Sequence, residues 1–466
     1  MALTRLIPLT APLFCWLFCC CTPAMGQTPS GPEHFFNRWE SNRTQDSGIR
    51  FANFEQTRHW APMPSWSHPE LSHTAIDNTD LLLTPHPLPV AGSGEDPLFK
   101  FDPLALALRP IRNIMEGLYE KDIRITVSDV LIYQNVSRSF NNQARDSLYN
   151  RFDLSPSIRT WELDGHGNGI FTALIRANNN ILDTPSPGDA SGSFSPLDDV
   201  FSSTSFLINR FEFQQQLFDK NLCLTIGKAN PNDMIASNQF AWDEDHQFIA
   251  VTFDGGNYPA GYGGYFPMVA LQAIPTDGIY MTGMVNSGIS GPTELFSSVD
   301  DGLYLCAGEV GTVLEFGPKK LQGRYSISFM NSNTGPETTG RDNRVSGNAM
   351  VLLAQQQIAQ NTVLWSQYLL SAESIGPAQQ EWTMGLSIEQ CFGRKNDGFG
   401  IAIGWSNPSE DYYSGWRENL QMEAYYRCQI THSWQLSPDL QIFRPSDPDA
   451  SGAAVFSFAL RLMTTF

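Results

Sequence analysis

Apolar and polar residues alternate over the last stretch of the chain, residues 453–466. Successive side chains of a β-strand point to opposite faces, so this period of two predicts a strand with one apolar row and one row that tolerates water. The apolar row comprises Phe456, Phe458, Leu460 and Leu462, and the other row comprises Ser457, Ala459, Arg461 and Thr465, with Met463 as an apolar exception.

An apolar row on the last strand is typical of a transmembrane β-barrel. A soluble protein rarely ends in a long exposed strand, because its free edge promotes aggregation. The closing strand of a barrel instead pairs with the first strand, turns its apolar row to lipid and its polar row to the lumen. Phe466 fits the end of such a strand at the membrane interface. A strand of an ordinary β-sandwich is the alternative.

The same period of two recurs from residue 122 onward and predicts about sixteen strands. It is clearest over 399–406, where large apolar residues alternate with Gly, Ala and Ser. We expect strands to start near residues 122, 157, 169, 205, 221, 266, 278, 305, 323, 348, 361, 381, 398, 421, 433 and 454. A weaker candidate near 247 is set aside, because single-chain bacterial barrels have an even number of strands.

The connections between these strands fall into two classes. Some are short, as at Gln360, and others are long, as at 179–204 and 406–420. Tight turns at one end and long loops at the other are typical of outer-membrane barrels. The sequence therefore predicts an all-β fold, a transmembrane antiparallel β-barrel over residues 122–466. Two-sheet sandwiches are the second choice, but this length would require two or three of them, and no linker separates such units.

The chain before residue 122 has a different character. Residues 1–26 resemble a secretory signal peptide, with Arg5, an apolar core and a small-residue site that predicts cleavage after Gly26. Residues 27–101 are rich in Pro, Ser, His and Asn and predict a poorly structured periplasmic extension, which continues to 121. Within it, a short helix is expected near 103–119, starting at Asp102 and kinked at Pro110. We expect it at the periplasmic end of the barrel or inside its mouth.

Composition narrows the possible partners. The chain carries 48 acidic and 29 basic residues, and this net charge of −19 disfavours nucleic acid as a partner. No apolar segment of about 18 residues follows the signal, which argues against membrane-spanning helices. Four cysteines outside the signal, Cys223, Cys306, Cys391 and Cys428, have no metal-site spacing and are interpreted as small wall residues.

Several motifs in the second half of the chain resemble those of a known family. They are Leu224–Lys228 with Asn238–Ala241, Glu423–Arg427, Leu436–Gln441, and Leu460–Leu462 ahead of Phe466. This set is similar to the carbohydrate-selective porins of the OprB family, although Arg444 and Ala459 stand where that family usually has Asn and Gly. The resemblance implies a sixteen-stranded channel in the bacterial outer membrane, surrounded by lipid, that passes small sugars by diffusion. Porins commonly form homo-oligomers through their lipid faces.

Charged residues on the polar rows are candidates for contact with a sugar. Arginine and carboxylate side chains exchange hydrogen bonds with hydroxyl groups, and aromatic faces cover the C–H surfaces of a sugar. The candidates for the channel are Arg124, Arg210, Glu212, Glu423, Arg427 and Arg461. For any one of them, pairing across strands as part of the wall is the more frequent role. We expect the long segment 179–204 to fold inward and form the constriction.

Other functions have weaker support in the sequence. His166 and the run Asp243–His246 could serve metal or acid–base chemistry, but such clusters more often form turns. HEXXH, GxSxG and GxGxxG motifs are absent, so no enzyme activity, metal or cofactor is expected. Asp447–Gly452 could hold Ca²⁺, but a hairpin loop explains it equally well. A non-selective porin is the alternative function, and a barrel-type enzyme or adhesin ranks below it. Expected members of the aromatic girdle are Trp365, Trp382, Trp405, Trp416 and Trp434.

Overall fold

The computed structural model describes residues 50–51, 98–99, 101–119, 121–140, 142–163, 167–202, 204–218, 221–276, 278–338, 342–394, 396–450 and 452–465. The predicted signal peptide, most of the predicted extension, His166 and Phe466 lie outside these residues.

The described chain consists almost entirely of β-strands. The strands are β1 (Arg50–Phe51), β2 (Ile123–Val136), β3 (Asp146–Leu163), β4 (Gly167–Asn180), β5 (Phe206–Leu217), β6 (Leu222–Ala229), β7 (Phe266–Thr276), β8 (Ile279–Ser287), β9 (Tyr304–Phe316), β10 (Leu321–Ser332), β11 (Gly347–Ala359), β12 (Thr362–Ser371), β13 (Ala378–Glu389), β14 (Gly398–Pro408), β15 (Asn419–Gln429), β16 (Trp434–Phe443) and β17 (Val455–Thr465).

Strands β2 to β17 form a closed antiparallel barrel of sixteen strands. Each pairs with its neighbours in sequence, and β17 closes the barrel on β2, with Arg461 opposite Ile132 and Ser457 opposite Val136. The short β1 pairs with the end of β9. Closure satisfies backbone groups that an open sheet would leave at its edges. The predicted fold class is confirmed.

Most predicted strand starts lie within a few residues of the observed ones, with one clear error. The second strand was expected near residue 157, whereas β3 begins at Asp146. Pro156 lies inside β3 opposite Ile125. Proline has no N–H for the ladder and normally argues against a strand interior, which is why the sequence favours a start after it. The candidate near 247 lies in a loop, as the even strand number required.

The two rows predicted for the last strand point to opposite sides of the barrel wall. Phe456, Phe458 and Leu460 are exposed on the outside, whereas Ser457 and Arg461 are buried on the inside. Met463 also points inward and is buried among Ile249 and Val200, which belong to loops inside the barrel. The apolar exception is thus explained by a partner far away in sequence.

The barrel ends differ as expected. Short connections, such as those between β5 and β6, β7 and β8, and β11 and β12, alternate with long ones, such as those that follow β4, β6 and β8. Two helices, α1 (Pro103–Ala107) and α2 (Arg109–Tyr119), precede β2, and α3 (Pro187–Ser191) lies in a long loop. The helical segment is interrupted at Leu108, two residues before Pro110.

The helical segment is attached to the end of the barrel that carries the short turns. The carboxylate of Asp102 caps α1 at the N–H of Ala105 (2.9 Å) and accepts bonds from the Thr431 hydroxyl (2.8 Å) and the Ser433 N–H (2.8 Å). Both partners belong to the turn between β15 and β16. Among the described residues, no helix is both long and apolar enough to cross a membrane.

Two predictions about side-chain placement need correction. Trp365, an expected member of the aromatic girdle, is only 1% exposed and points into the barrel, where its indole N–H donates to the Ser387 hydroxyl (3.2 Å). Its neighbours Leu364 and Leu370 occupy the outward row of β12 instead. Cys391 lies in the turn after β13 and not in a strand.

The outward row of β17 provides a test of the barrel's surroundings. Leu460→Lys, near the middle of the strand, should destabilise the barrel in lipid vesicles by about 2–4 kcal/mol, and Phe456→Lys, at the end of the strand, by about 0–1 kcal/mol. A lysine costs most where the hydrocarbon is deepest. Denaturant titration of tryptophan fluorescence in vesicles measures both values, and equal costs would contradict a hydrocarbon belt around the middle of β17.

Candidate functional site

Residues 230–265, the inner loop, fold into the barrel, and wall carboxylates bind their backbone N–H groups. Glu309 accepts from the N–H of Ala236 (2.6 Å). Glu423 accepts from Ile249 (2.7 Å) and Ala250 (3.1 Å) with its two oxygens. Inside the lumen these carboxylates replace water, which would otherwise be needed to satisfy the loop backbone.

Wall arginines bind the carbonyl groups of the same loop. Arg324 donates to Ser237 O (2.8 Å), and Arg461 donates to Gln247 O (2.9 Å) and to Glu244 O. Opposite charges on the wall therefore bind opposite dipoles of the loop backbone, which fixes the path of the loop.

Small wall residues provide space for the aromatic side chains of the inner loop. A Cβ atom added to Gly400 would lie 2.8 Å from the ring of Phe248, and one added to Gly404 would lie 2.7 Å from Thr252. Phe248 packs edge-on against Tyr425, with ring centroids 4.9 Å apart. The inner loop therefore packs against the row of small residues on β14, and it fills the lumen next to that strand.

The segment 181–205, which we call the second loop, also enters the lumen. It rests on the inner loop through Val251 N–H to Pro196 O (3.1 Å) and Asp199 N–H to Ile249 O (2.8 Å). The sequence correctly indicated an inward fold for this segment. It did not indicate that the inner loop also enters the lumen and bonds to the second loop.

A cavity of about 950 Å³ remains between these loops and the wall formed by β2 to β6. Its wall side carries mainly polar residues, including Thr126, Ser128, Asp153, Arg176, Arg210 and Lys228. Its loop side carries carboxylates and aromatic residues, including Asp199, Trp242, Glu244, Asp254, Tyr258 and Tyr265.

Two arginines join the wall to the inner loop beside this cavity. Arg151 binds Glu244 (2.8 Å) and Asp245, and it also lies 3.5 Å from Asp153. Arg176 forms a bidentate pair with Asp153 at 2.8 Å for both bonds and lies 3.8 Å from Glu244. This geometry holds several donors and acceptors in fixed positions along one side of the cavity.

Carboxyl groups on the inner loop have raised pKa values. Burial raises the pKa of Asp245 to about 6, although the charge of Arg151 opposes this shift. Burial raises the pKa of Asp254 well above its ordinary value, and the negative charges of Glu244 and Asp199 add to the effect. Burial is the main cause of both pKa shifts, and neighbouring carboxylates add to it.

The structure separates the six predicted channel residues. Arg210 borders the cavity and pairs with Asp233 and with Glu212, whose nearest oxygen is 3.3 Å away. Three others contact loops or turns: Glu423 and Arg461 bind the inner loop, and Arg427 donates to Glu389 (2.5 Å) and to His246 O (3.5 Å). Arg124 lies at the start of β2 and donates to the Tyr119 hydroxyl (3.1 Å).

Sequence reasoning missed several residues at the cavity. Arg151 was missed because the strand that carries it was expected to begin only at residue 157. Arg176 lies on the inward row of β4, but no pattern in that strand distinguishes it. Glu244 stands in an acidic run that was interpreted as a turn, and only the path of the inner loop brings it to Arg151.

Comparison with known proteins adds an independent finding. A family model described as "Carbohydrate-selective porin, OprB family" matches residues 183–466. The high-pH structure of Pseudomonas putida OprB has a TM-score of 0.64 and 15% identity, covering 76% of this chain and 97% of that chain. The low-pH structure of Pseudomonas putida OprB has a TM-score of 0.48 and 12% identity, covering 80% and 100%. A double mutant of Rh. blastica porin has a TM-score of 0.46 and 10% identity, covering 74% and 100%. No curated protein matches.

Removing a wall carboxylate should release the inner loop. Glu423→Ala leaves two buried N–H groups without acceptors, each at a cost of about 1–3 kcal/mol, so the loop should leave its seat part of the time. Single-channel recording in planar bilayers should then show a larger and noisier conductance. Glu423→Gln is the matched control, because its amide oxygen still accepts one bond and should keep the trace closer to that of the unmodified protein. A quiet, unchanged trace for Glu423→Ala would contradict this role.

Proposed function

The chain belongs to the OprB family of carbohydrate-selective porins, and from this premise we propose that it lets small sugars diffuse passively across the bacterial outer membrane. The observation that carries the proposal is the cavity of about 950 Å³, which is bordered by paired charges on the wall and by aromatic residues on the loops. The outward apolar rows of the strands face lipid, and transport requires no cofactor.

The cavity offers the groups that a sugar needs in place of water. Arg176 and Arg210 donate hydrogen bonds, and Asp153 and Glu244 accept them. Trp242 is partly exposed at the cavity and offers a ring face to the C–H surface of a pyranose. Each of these charged groups is already paired with an opposite charge, so a passing hydroxyl group exchanges one partner for another. Weak exchange of this kind supports flow, because a tightly held solute would block the channel.

We propose two roles for the six residues singled out by the sequence. Arg210, with Glu212 behind it, contacts the solute. Glu423, Arg427 and Arg461 set the width of the pore through the inner loop, and Arg124 lies near the mouth that carries the short turns. The positioning role rests on the hydrogen bonds between these side chains and the loop backbone.

A non-selective diffusion porin is the second candidate, because a polar cavity also accommodates other small solutes. The excess of acidic groups at the cavity favours neutral or cationic solutes over anions in either case. The two candidate functions predict different ratios between the diffusion rate of a sugar and that of a zwitterion of the same size.

Liposome swelling tests the proposal. Proteoliposomes should swell faster in glucose than in sucrose, and faster in glucose than in an amino acid of matched size. Absence of swelling in every solute would refute the channel function. Equal rates for glucose and the matched amino acid would leave diffusion in place and refute the selectivity.

One wall arginine should affect sugars in particular. Arg176→Gln removes the bidentate pair with Asp153 and should lower the swelling rate in glucose by about fivefold, equivalent to about 1 kcal/mol for one net hydrogen bond. The rate in a matched amino acid should change less. Arg138→Gln, at an exposed position just beyond β2, is the control, and its rates should be those of the unmodified protein. An equal decrease in both solutes after Arg176→Gln would indicate a change of pore width and not of sugar recognition.

A further inference from the structure

Three carboxylates from two loops converge in the lumen beside the ion pairs. Asp199 belongs to the second loop, and Glu244 and Asp254 belong to the inner loop. One oxygen from each lies within 4.8 Å of the others. Asp199 is exposed to the cavity, whereas Asp254 is buried with 5% of its surface exposed.

Asp254 is the unusual member of this cluster. Its Oδ2 atom is buried and has no hydrogen-bond partner among the described residues. An ionised carboxylate that is buried without a partner costs several kcal/mol, so it either takes up a proton or binds a group of opposite charge. The groups that act on Asp254 most strongly are Glu244, Asp199, Asp243 and Glu423, which are all acidic.

The neighbouring arginines are already engaged by other carboxylates. Arg151 forms salt bridges with Asp153, Glu244 and Asp245. Arg176 forms salt bridges with Asp153 and, at 3.8 Å, with Glu244. Among the described residues, neither Asp199 nor Asp254 forms a salt bridge. Two guanidinium groups therefore face five carboxylates in this region, and negative charge remains in excess around the three converging oxygens.

We propose that Asp199, Glu244 and Asp254 bind one calcium ion. Carboxylate oxygens are hard ligands, which favour Ca²⁺ or Mg²⁺ over transition metals. Ca²⁺ accepts an irregular set of ligands completed by water from the cavity, whereas Mg²⁺ requires a nearly ideal octahedron. Ligands that come from two separate loops form an irregular set of this kind, which suits the larger ion.

The ion would have a structural effect beyond charge neutralisation. Asp199 lies beside the point where the second loop bonds to Ile249, and Glu244 and Asp254 lie on either side of that residue along the inner loop. One ion would thus join three points of the two loops that narrow the channel. Arg151 and Arg176 weaken its binding by repulsion, so we expect a dissociation constant of about 10⁻⁴–10⁻³ M, as in extracellular calcium modules.

Calorimetric titration with CaCl₂ tests this site. The full-length protein, purified in detergent and treated with EDTA, should bind one Ca²⁺ and bind Mg²⁺ more weakly. Asp254→Asn keeps the shape of the side chain and should lower the affinity by at least about tenfold, since even indirect partners of a metal contribute that much. Absence of Ca²⁺ binding by the unmodified protein, or equal affinity after Asp254→Asn, would overturn the proposal. Tighter binding of Mg²⁺ than of Ca²⁺ would overturn the assignment to calcium.

Two further variants distinguish a discrete calcium site from misfolding and from a diffuse attraction of cations. Asp199→Asn changes a side chain that is exposed to the cavity and keeps its shape, and it too should lower the affinity. Asp189→Asn alters an exposed carboxylate of the second loop at the same cavity but outside the cluster, and it should bind Ca²⁺ as the unmodified protein does. An equal loss of affinity in Asp189→Asn would show a diffuse attraction of cations and would refute a discrete site. Because calorimetry does not depend on transport, this result is separate from that of the swelling assay.

Discussion

The channel depends on hydrogen bonds between wall side chains and the backbone of a loop inside the barrel. A loop in the lumen gives up much of the water that would satisfy its N–H and C=O groups, so the wall must supply replacements. Glu309 and Glu423 accept from its N–H groups, and Arg324 and Arg461 donate to its carbonyls. These four side chains stand on rigid strands, so their positions fix the path of the loop. The free space that remains in the lumen therefore has a defined shape.

The inward-facing side chains differ between two regions of the barrel wall. On β14, the small residues Gly400, Ala402 and Gly404 leave room for Phe248 and Phe253 of the inner loop. The loop fills the lumen next to this strand. On β2 to β6 most of the side chains that border the cavity are polar, whereas Val130 and Ile132 of β2 pack against the loops. The outward rows do not differ in this way, because hydrocarbon imposes the same requirement on every strand. Substitutions on the inner rows can therefore change the lining of the cavity without disturbing the outer rows.

Local sequence predicted the barrel well and the pore poorly, for a physical reason. Apolar and polar residues alternate along a strand because its two faces meet different environments. One strand of about ten residues contains this whole pattern. It identified nearly every strand and failed at β3, where Pro156 interrupts the expected ladder. The pore instead depends on contacts between distant segments, such as Arg151 with Glu244 and Met463 with Ile249. The motifs of the last strands indicated the family, but nothing in their spacing indicated the path of the inner loop.

The order of residues along the chain has a consequence for biogenesis. The strands that carry Glu309, Arg324, Glu423 and Arg461 all follow the inner loop along the chain, and Arg461 lies only a few residues from the end of the last strand. Arg151 and Arg210, which also bind this loop, lie on strands that precede it. During synthesis and export the loop therefore has only part of its partners, and the full set becomes available only after the final hairpin is in place. Contacts of such long sequence separation form slowly. The complete fixation of the inner loop is thus a late event of assembly, because it requires the last strand.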